Sequence, residues 1–140
     1  MVHLVSSYFL PAGTQLNSLY FRAEDRLQEA WTLDEVEGER MLELPLILLV
    51  SEQTTSAAES FSYSMQGYER ATLVGENTRG AAHWVESYPF PDQGIFLEIP
   101  VARPINPVTG EGWEGEGVAP DVRVNPADAL NEALKILGSK

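Results

Sequence analysis

The segment Leu46-Ile47-Leu48-Leu49-Val50, followed by Ser51-Glu52-Gln53-Thr54-Thr55 and then Ser56-Ala57-Ala58-Glu59-Ser60-Phe61, decides the fold. An apolar run without alternation reads as a strand buried on both faces. The polar stretch after it is a loop. Ala57, Ala58, Phe61 and Met65 then share one helical face that ends at Gly67, and Ala71-Thr72-Leu73-Val74-Gly75 reads as a second short buried strand. Strand, helix and strand in this order make a β-α-β unit with a right-handed crossover. An α/β layer fold is the expectation.

Upstream, Val2, Leu4, Val5, Tyr8 and Phe9 form a helical stripe over Met1 to Leu10, stopped by Pro11. No cap precedes this helix, as for the continuation of an upstream element, although a methionine start also fits a complete product. Leu19-Tyr20-Phe21 and Leu27, Ala30 and Trp31 flank a polar turn and read as a hairpin; Thr32 to Arg40 is a charged loop. Downstream, Trp84–Phe90 and Ile95–Ala102 read as strands around the turn Pro91-Asp92-Gln93-Gly94. The irregular stretch Pro104 to Pro120 has the length of a functional loop or lid. A terminal helix starts with Asn125 as cap and Pro126 in its first turn, and sets Ala127, Leu130, Leu134 and Leu137 on one face.

The 140 residues hold 9 Lys and Arg against 21 Asp and Glu, a net charge of −12, and 44% are hydrophobic. That composition suits one folded domain over residues 1–140 and excludes a nucleic-acid clamp. With no cysteine, disulfides, thiol nucleophiles and thiolate metal sites are excluded. The longest apolar stretch, Leu44 to Val50, falls well short of the roughly 20 residues a membrane span needs, so no membrane insertion is expected.

Ser56 stands in the first turn after a buried strand, where free N–H groups and the helix dipole favour a developing oxyanion. Ser56-Ala57-Ala58-Glu59 is equally a capping box, so the residues alone leave nucleophile and cap both open. The bases available to such a serine are His3, His83, Lys135, Lys140 and the carboxylates. A Ser/Lys dyad is not expected, because no lysine lies between Ser56 and Lys135. His83, beside Trp84, reads either as a packing residue or as the base. Neither histidine has a metal-ligand spacing, and the acidic glycine loop Gly110–Gly117 lacks a calcium-site pattern, so no metal and no cofactor is expected. That loop reads as a solvated turn pinned by Trp113, or as one in which Glu114 orients a catalytic partner. Phe61, Trp84, Phe90, Phe96 and Trp113 are core residues or the lining of an apolar ligand cleft.

Four runs together resemble a known family: Leu48 to Phe61, Arg70 to His83, Arg103-Pro104-Ile105-Asn106-Pro107-Val108-Thr109-Gly110, and Trp113 to Asp121. They are similar to the catalytic domain of the tail-specific, or C-terminal processing, serine peptidases, in the branch like interphotoreceptor retinoid-binding protein. The resemblance implies a ClpP/crotonase-like α/β fold of β-α-β units, mixed sheet and flanking helices, of which this chain is the C-terminal part. It implies Ser56 as nucleophile, with the N–H of Ala57 in the oxyanion hole. Many members place a lysine 25 positions after the serine; Ala81 stands there. A tricorn-like branch uses instead an upstream histidine held by a glutamate, which matches Glu114, with His83 as the alternative within the chain. The family's Asp-Leu-Arg-x-Asn-Gly-Gly motif, which completes the oxyanion hole, belongs before Met1.

The implied activity is peptide-bond hydrolysis, weak or absent in the isolated chain, on peptide or protein substrates. An upstream segment or self-association completes the site, and a periplasmic or secreted address goes with the family. A non-enzymatic retinoid or fatty-acid binding module is the alternative.

Overall fold

The computed structural model describes residues 1–138. Its elements in chain order are α1 (Val2–Phe9), β1 (Gln15–Phe21), β2 (Arg26–Trp31), β3 (Ile47–Val50), α2 (Ala57–Gly67), β4 (Thr72–Gly75), β5 (Trp84–Phe90), β6 (Ile95–Ile105), β7 (Val122–Arg123) and α3 (Ala129–Gly138). No helix among the described residues is long and apolar enough to cross a membrane.

The protein is α/β, but its parallel and antiparallel pairings are segregated into two sheets where one mixed sheet was expected. β3, β4 and β7 form a parallel sheet in that order, and β2-β1-β6-β5 an antiparallel one. The β3-α2-β4 unit and both hairpins form where the sequence places them. β7 was not foreseen, because two residues are too short to show a pattern.

β6 carries Pro100 and Pro104, which is unusual for a strand with two neighbours. The register explains it: β5 covers Ile95 to Ala102, β1 covers Ala102 to Ile105, and only Ala102 is paired on both sides. Each proline therefore lies where β6 has one partner and a ladder donor can be missing.

Three packing expectations change. Leu73 and Val74 of the central strand β4 are fully buried, but β3 is an edge strand: Leu48 packs into the core while Leu49, on the opposite face, is 47% exposed. On α1 the structure buries Ser6 and Ser7 and leaves Leu4 and Val5 exposed. Arg40 dictates that orientation by donating to the Ser7 and Leu10 carbonyls, and Arg70 by donating to that of Phe9, so the helix end is held by cations. The terminal helix starts at Ala129, after a turn in which Asn125 Oδ1 accepts the Ala127 N–H. It approaches the parallel sheet through Ala129 and Ala133; these small side chains permit close contact and turn Leu130, Leu134 and Leu137 to solvent.

Two clusters make the core. Val50, Leu73, Trp113 and Val118 form one, and Leu10, Leu16 and Met65 the other, with Leu48 and Ala71 packed against both. α2 lies between the sheets. Its outer end is tied to β1 by the Tyr68 hydroxyl, which donates to the Gln15 carbonyl at 2.7 Å.

Candidate active site

After β3 the chain folds into a tight turn, with Thr54 N–H donating to the Ser51 carbonyl at 2.9 Å, and reaches Ser56. Ser56 has φ 55° and ψ −116° immediately before α2. A serine in that region stores about 1–3 kcal/mol of strain and persists only if its surroundings hold it.

Glu59 is the holder. Its carboxylate is 0% exposed and takes four hydrogen bonds. Oε2 accepts the Ser56 N–H at 2.8 Å and the Ala81 N–H at 3.0 Å; Oε1 accepts the Thr78 hydroxyl at 2.5 Å and the Gly80 N–H at 2.6 Å. Thr78 Oγ1 in turn accepts the Val118 N–H at 2.7 Å. One buried carboxylate thus clamps the serine turn to the segment after β4 and to the acidic glycine loop. Ser56 and Glu59 do face each other as a capping box, but the Ser56 side chain makes no cap hydrogen bond. The Glu59 half of the box satisfies the Ser56 N–H, while the Ser56 hydroxyl stays opposite the Glu59 N–H without closing a full hydrogen bond to it.

A second buried relay fixes α2 from the antiparallel sheet. Asn17 of β1 donates to the carbonyl and hydroxyl of Ser60 at 2.8 and 3.0 Å, and Asn106 donates to Asn17 Oδ1 at 2.8 Å. The stretch Pro104 to Pro120 is anchored through Asn106, Trp113 and Val118. Asn106 Oδ1 accepts the Val108 and Thr109 N–H groups, and Trp113, 3% exposed, lies 5.3 Å from the Tyr63 ring. The loop is stapled, as the reading of it as a turn pinned by Trp113 had it.

Ser56 and Ala57 are exposed and border a cleft of about 290 Å³ with His3, His83, Trp84 and Trp113. Ala57 opens α2, so its N–H has no intrahelical partner and is available to an oxyanion. Glu114 Oε2 accepts the N–H groups of Ala82 and His83 at 2.7 and 2.8 Å, and its Oε1 stands 3.7 Å from His83 Nδ1. Glu114 thus stands beside His83 of this chain, at a separation longer than a hydrogen bond. Lys135 pairs with Glu132 at 2.8 Å; that hydrogen bond and charge raise its pKa, and it borders a separate cleft beyond β7. Lys140 lies outside the described residues. Ala81 gives its N–H to Glu59 and has no side chain to act as a base.

Of the five aromatics considered for a ligand cleft, only Trp84 and Trp113 border this one. Phe61 packs edge-on against Phe9, and Phe90 and Phe96 are exposed on the β5-β6 hairpin. Among the described residues no group of three or more His, Asp or Glu side chains is placed to hold a metal ion. Sequence reasoning missed Thr78 and Asn17 and saw Glu59 only as a cap. The signal for Glu59 was present in the capping box; its donors at positions 78, 80 and 81 gave none.

Residues 2–124 match the family described as Peptidase family S41. Carboxyl-terminal-processing proteases are similar over much of the chain: that of Synechocystis sp. is 43% identical over 99 residues, 71% of this chain and 22% of the relative. That of Picosynechococcus sp. is 31% identical over 97 residues, 69% of this chain and 23% of the relative. The chain thus spans less than a quarter of the length of these curated relatives. Among solved structures, a photosystem II D1 C-terminal processing protease superimposes with a TM-score of 0.68 at 23% identity, over 97% of this chain and 34% of that one. A putative S41 protease from Bacteroides fragilis gives 0.74 at 20% identity, over 99% of this chain and 41% of its own. These two likenesses establish a shared fold. With the serine turn, its buried clamp and the family match in agreement over nearly the same residues, the chain belongs to peptidase family S41.

Proposed function

We propose that this chain supplies the nucleophile and its support to a serine peptidase active site. The observation that carries the reading is the strained, exposed Ser56 at the start of α2, whose N–H is satisfied by Glu59 so that its hydroxyl need not cap the helix. Ser56 Oγ attacks the scissile carbonyl and gives its proton to the imidazole of His83. The tetrahedral oxyanion takes the Ala57 N–H. The imidazolium, held by Glu114, then protonates the departing amine, and water hydrolyses the acyl-enzyme by the same steps in reverse.

A second oxyanion donor comes from an upstream segment or a second copy of the chain, so the isolated chain is weakly active or inactive. Ala81, where many relatives place lysine, supports histidine assistance of the tricorn-like kind, and the branch like interphotoreceptor retinoid-binding protein belongs to the same proposal. A ClpP/crotonase-like name for the fold belongs to the same proposal.

Intact mass after fluorophosphonate treatment tests it, because covalent capture reports an activated serine without a known substrate. One adduct is expected, absent in Ser56→Ala and slowed at least tenfold in His83→Gln. Labelling of His83→Gln at the wild-type rate would move the base to another segment of the parent protein. Peptidase activity surviving Ser56→Ala in that parent would end the assignment.

A further inference from the structure

The antiparallel sheet borders a second cleft, and that cleft carries cations that the proposed chemistry does not use. Directly opposed residues of an antiparallel pair share a face, and successive residues alternate. Leu19 and Pro104 are one such pair and border the Ser56 cleft; Tyr20 and Arg103 are the next pair and face the other way. Tyr20, Arg22 and Arg103, with Pro100, Val101, Ala102 and His83, line a cleft of about 420 Å³.

The Arg103 guanidinium lies 5.6 Å from the centre of the Tyr20 ring. Tyr20 donates to Asp25 at 2.8 Å, and this hydrogen bond, with the Asp25 charge, raises the phenol pKa while Arg103 and Arg22 pull it down. Both arginines thus line the cleft beside one phenol, whose hydroxyl donates to Asp25. Among the described residues neither Arg22 nor Arg103 has a carboxylate within ion-pairing distance, whereas the adjacent Arg26 is paired with Glu24 at 2.6 Å. The chain holds 21 acidic residues against 9 basic ones, so two neighbouring arginines left without an acid are an exception to its own composition. His83 borders both clefts.

We infer that Arg22 and Arg103 form a carboxylate-binding subsite for the peptide that enters the Ser56 cleft, its chain passing the end of the sheet at His83. The planar fork of a guanidinium matches a carboxylate, and two forks lining one cleft orient it. The occupant rests on the peptidase reading; the anion site itself does not.

The test separates them. Arginine Nε–Hε NMR signals are followed while N-acetylglycine, then N-acetylglycinamide, is titrated into the chain at physiological ionic strength. The Arg22 and Arg103 signals, assigned with Arg22→Gln and Arg103→Gln, are expected to move with the acid and not with the amide. Unmoved signals overturn the subsite whatever Ser56 does. Binding of one short peptide to Ser56→Ala is then compared as free acid, as C-terminal amide, and as an amide carrying an internal aspartate.

A carboxylate in either position is expected to tighten binding about fivefold, the size of exposed charge pairs. Recovery by the aspartate places the source in a side chain, and preference for the free acid places it at the terminus. The double variant Arg22→Gln/Arg103→Gln should bind all three peptides equally. Equal binding of all three by the arginine-bearing protein, with the small acid still seen at the arginines, overturns the peptide as occupant. Loss of the fluorophosphonate adduct, by contrast, bears only on the peptidase reading.

Discussion

The turn at Ser56 and the hairpin of β5 and β6 are both short strand-and-turn units, and they are held in opposite ways. The serine turn is tied by a fully buried carboxylate to segments about twenty residues further along the chain. The hairpin is tied to itself: its strands pair from Trp84–Ala102 to Phe90–Ile95, yet every residue of β5 is exposed, and Phe96, Leu97 and Ile99 of β6 show apolar surface on both faces. Backbone pairing alone suffices to shape the hairpin. A strained φ at the serine needs tertiary hydrogen bonds to persist, and chemistry that depends on atomic placement sits where those bonds are.

Breaking the clamp should have the largest effect. Glu59→Ala strands the donors of Ser56, Thr78, Gly80 and Ala81, and denaturant unfolding should report a loss of about 3–5 kcal/mol. Glu59→Gln keeps the volume but sets an NH₂ against at least one N–H group, that of Gly80 when it takes the Oε1 position, so about 2–4 kcal/mol should go. If the Gln variant folds, its fluorophosphonate labelling should slow together with its stability, because the serine turn relaxes. An unchanged stability and labelling rate would show that the serine turn holds itself.

Gly117 tests the same clamp from the loop side. It has φ 74°, and a Cβ there would lie 2.2 Å from the Thr78 carbonyl oxygen, a backbone atom that cannot swing aside. Gly117→Ala must displace the segment that brings Thr78 to Glu59. A loss of about 2–3 kcal/mol is expected from strain and clash together, with slower labelling of Ser56. Full stability in Gly117→Ala would mean that the loop moves independently of the serine, and the comparison with the hairpin would lose its basis.

What the sequence made legible follows the same division. The β3-α2-β4 unit, both hairpins and the serine in its turn were readable because each is encoded in neighbouring residues: an apolar run, a capping box, a Pro-Asp-Gln-Gly turn. Local pattern could not say which helix face is covered. The stripe Leu4 and Val5 faces out because Arg40 and Arg70 grip the other end of α1, and α3 docks by its alanines. Nor could it say that Asn106 reaches Asn17 or that Glu59 gathers four donors, since these partners are brought together only by the finished fold. His83 was visible as a candidate, and its neighbour Glu114 was expected to serve a histidine from elsewhere; the turn after Gly80, closed by Gly115 N–H donating to the Gly80 carbonyl at 2.8 Å, is what joins the two.

The smallest effect is expected at the hairpin, and it is informative for being small. Phe96 is 74% exposed and pairs across from Pro89, so its ring loses little water on folding. Phe96→Ser should change unfolding free energy by no more than about 0.5 kcal/mol, the ordinary range for a surface site. Apolar side chains on both faces of a projecting hairpin are also a surface on which copies of the chain can associate. Sedimentation velocity separates the two situations. A wild-type monomer whose coefficient and stability are unmoved by the substitution means that the hairpin is held by its own ladder. A larger species in the wild type that dissociates in Phe96→Ser, with stability falling by more than about 1 kcal/mol, means that a second copy supplies the burial missing within one chain. In that case the hairpin and the serine turn would differ only in where their tertiary partners come from, another chain for the first and the same chain for the second.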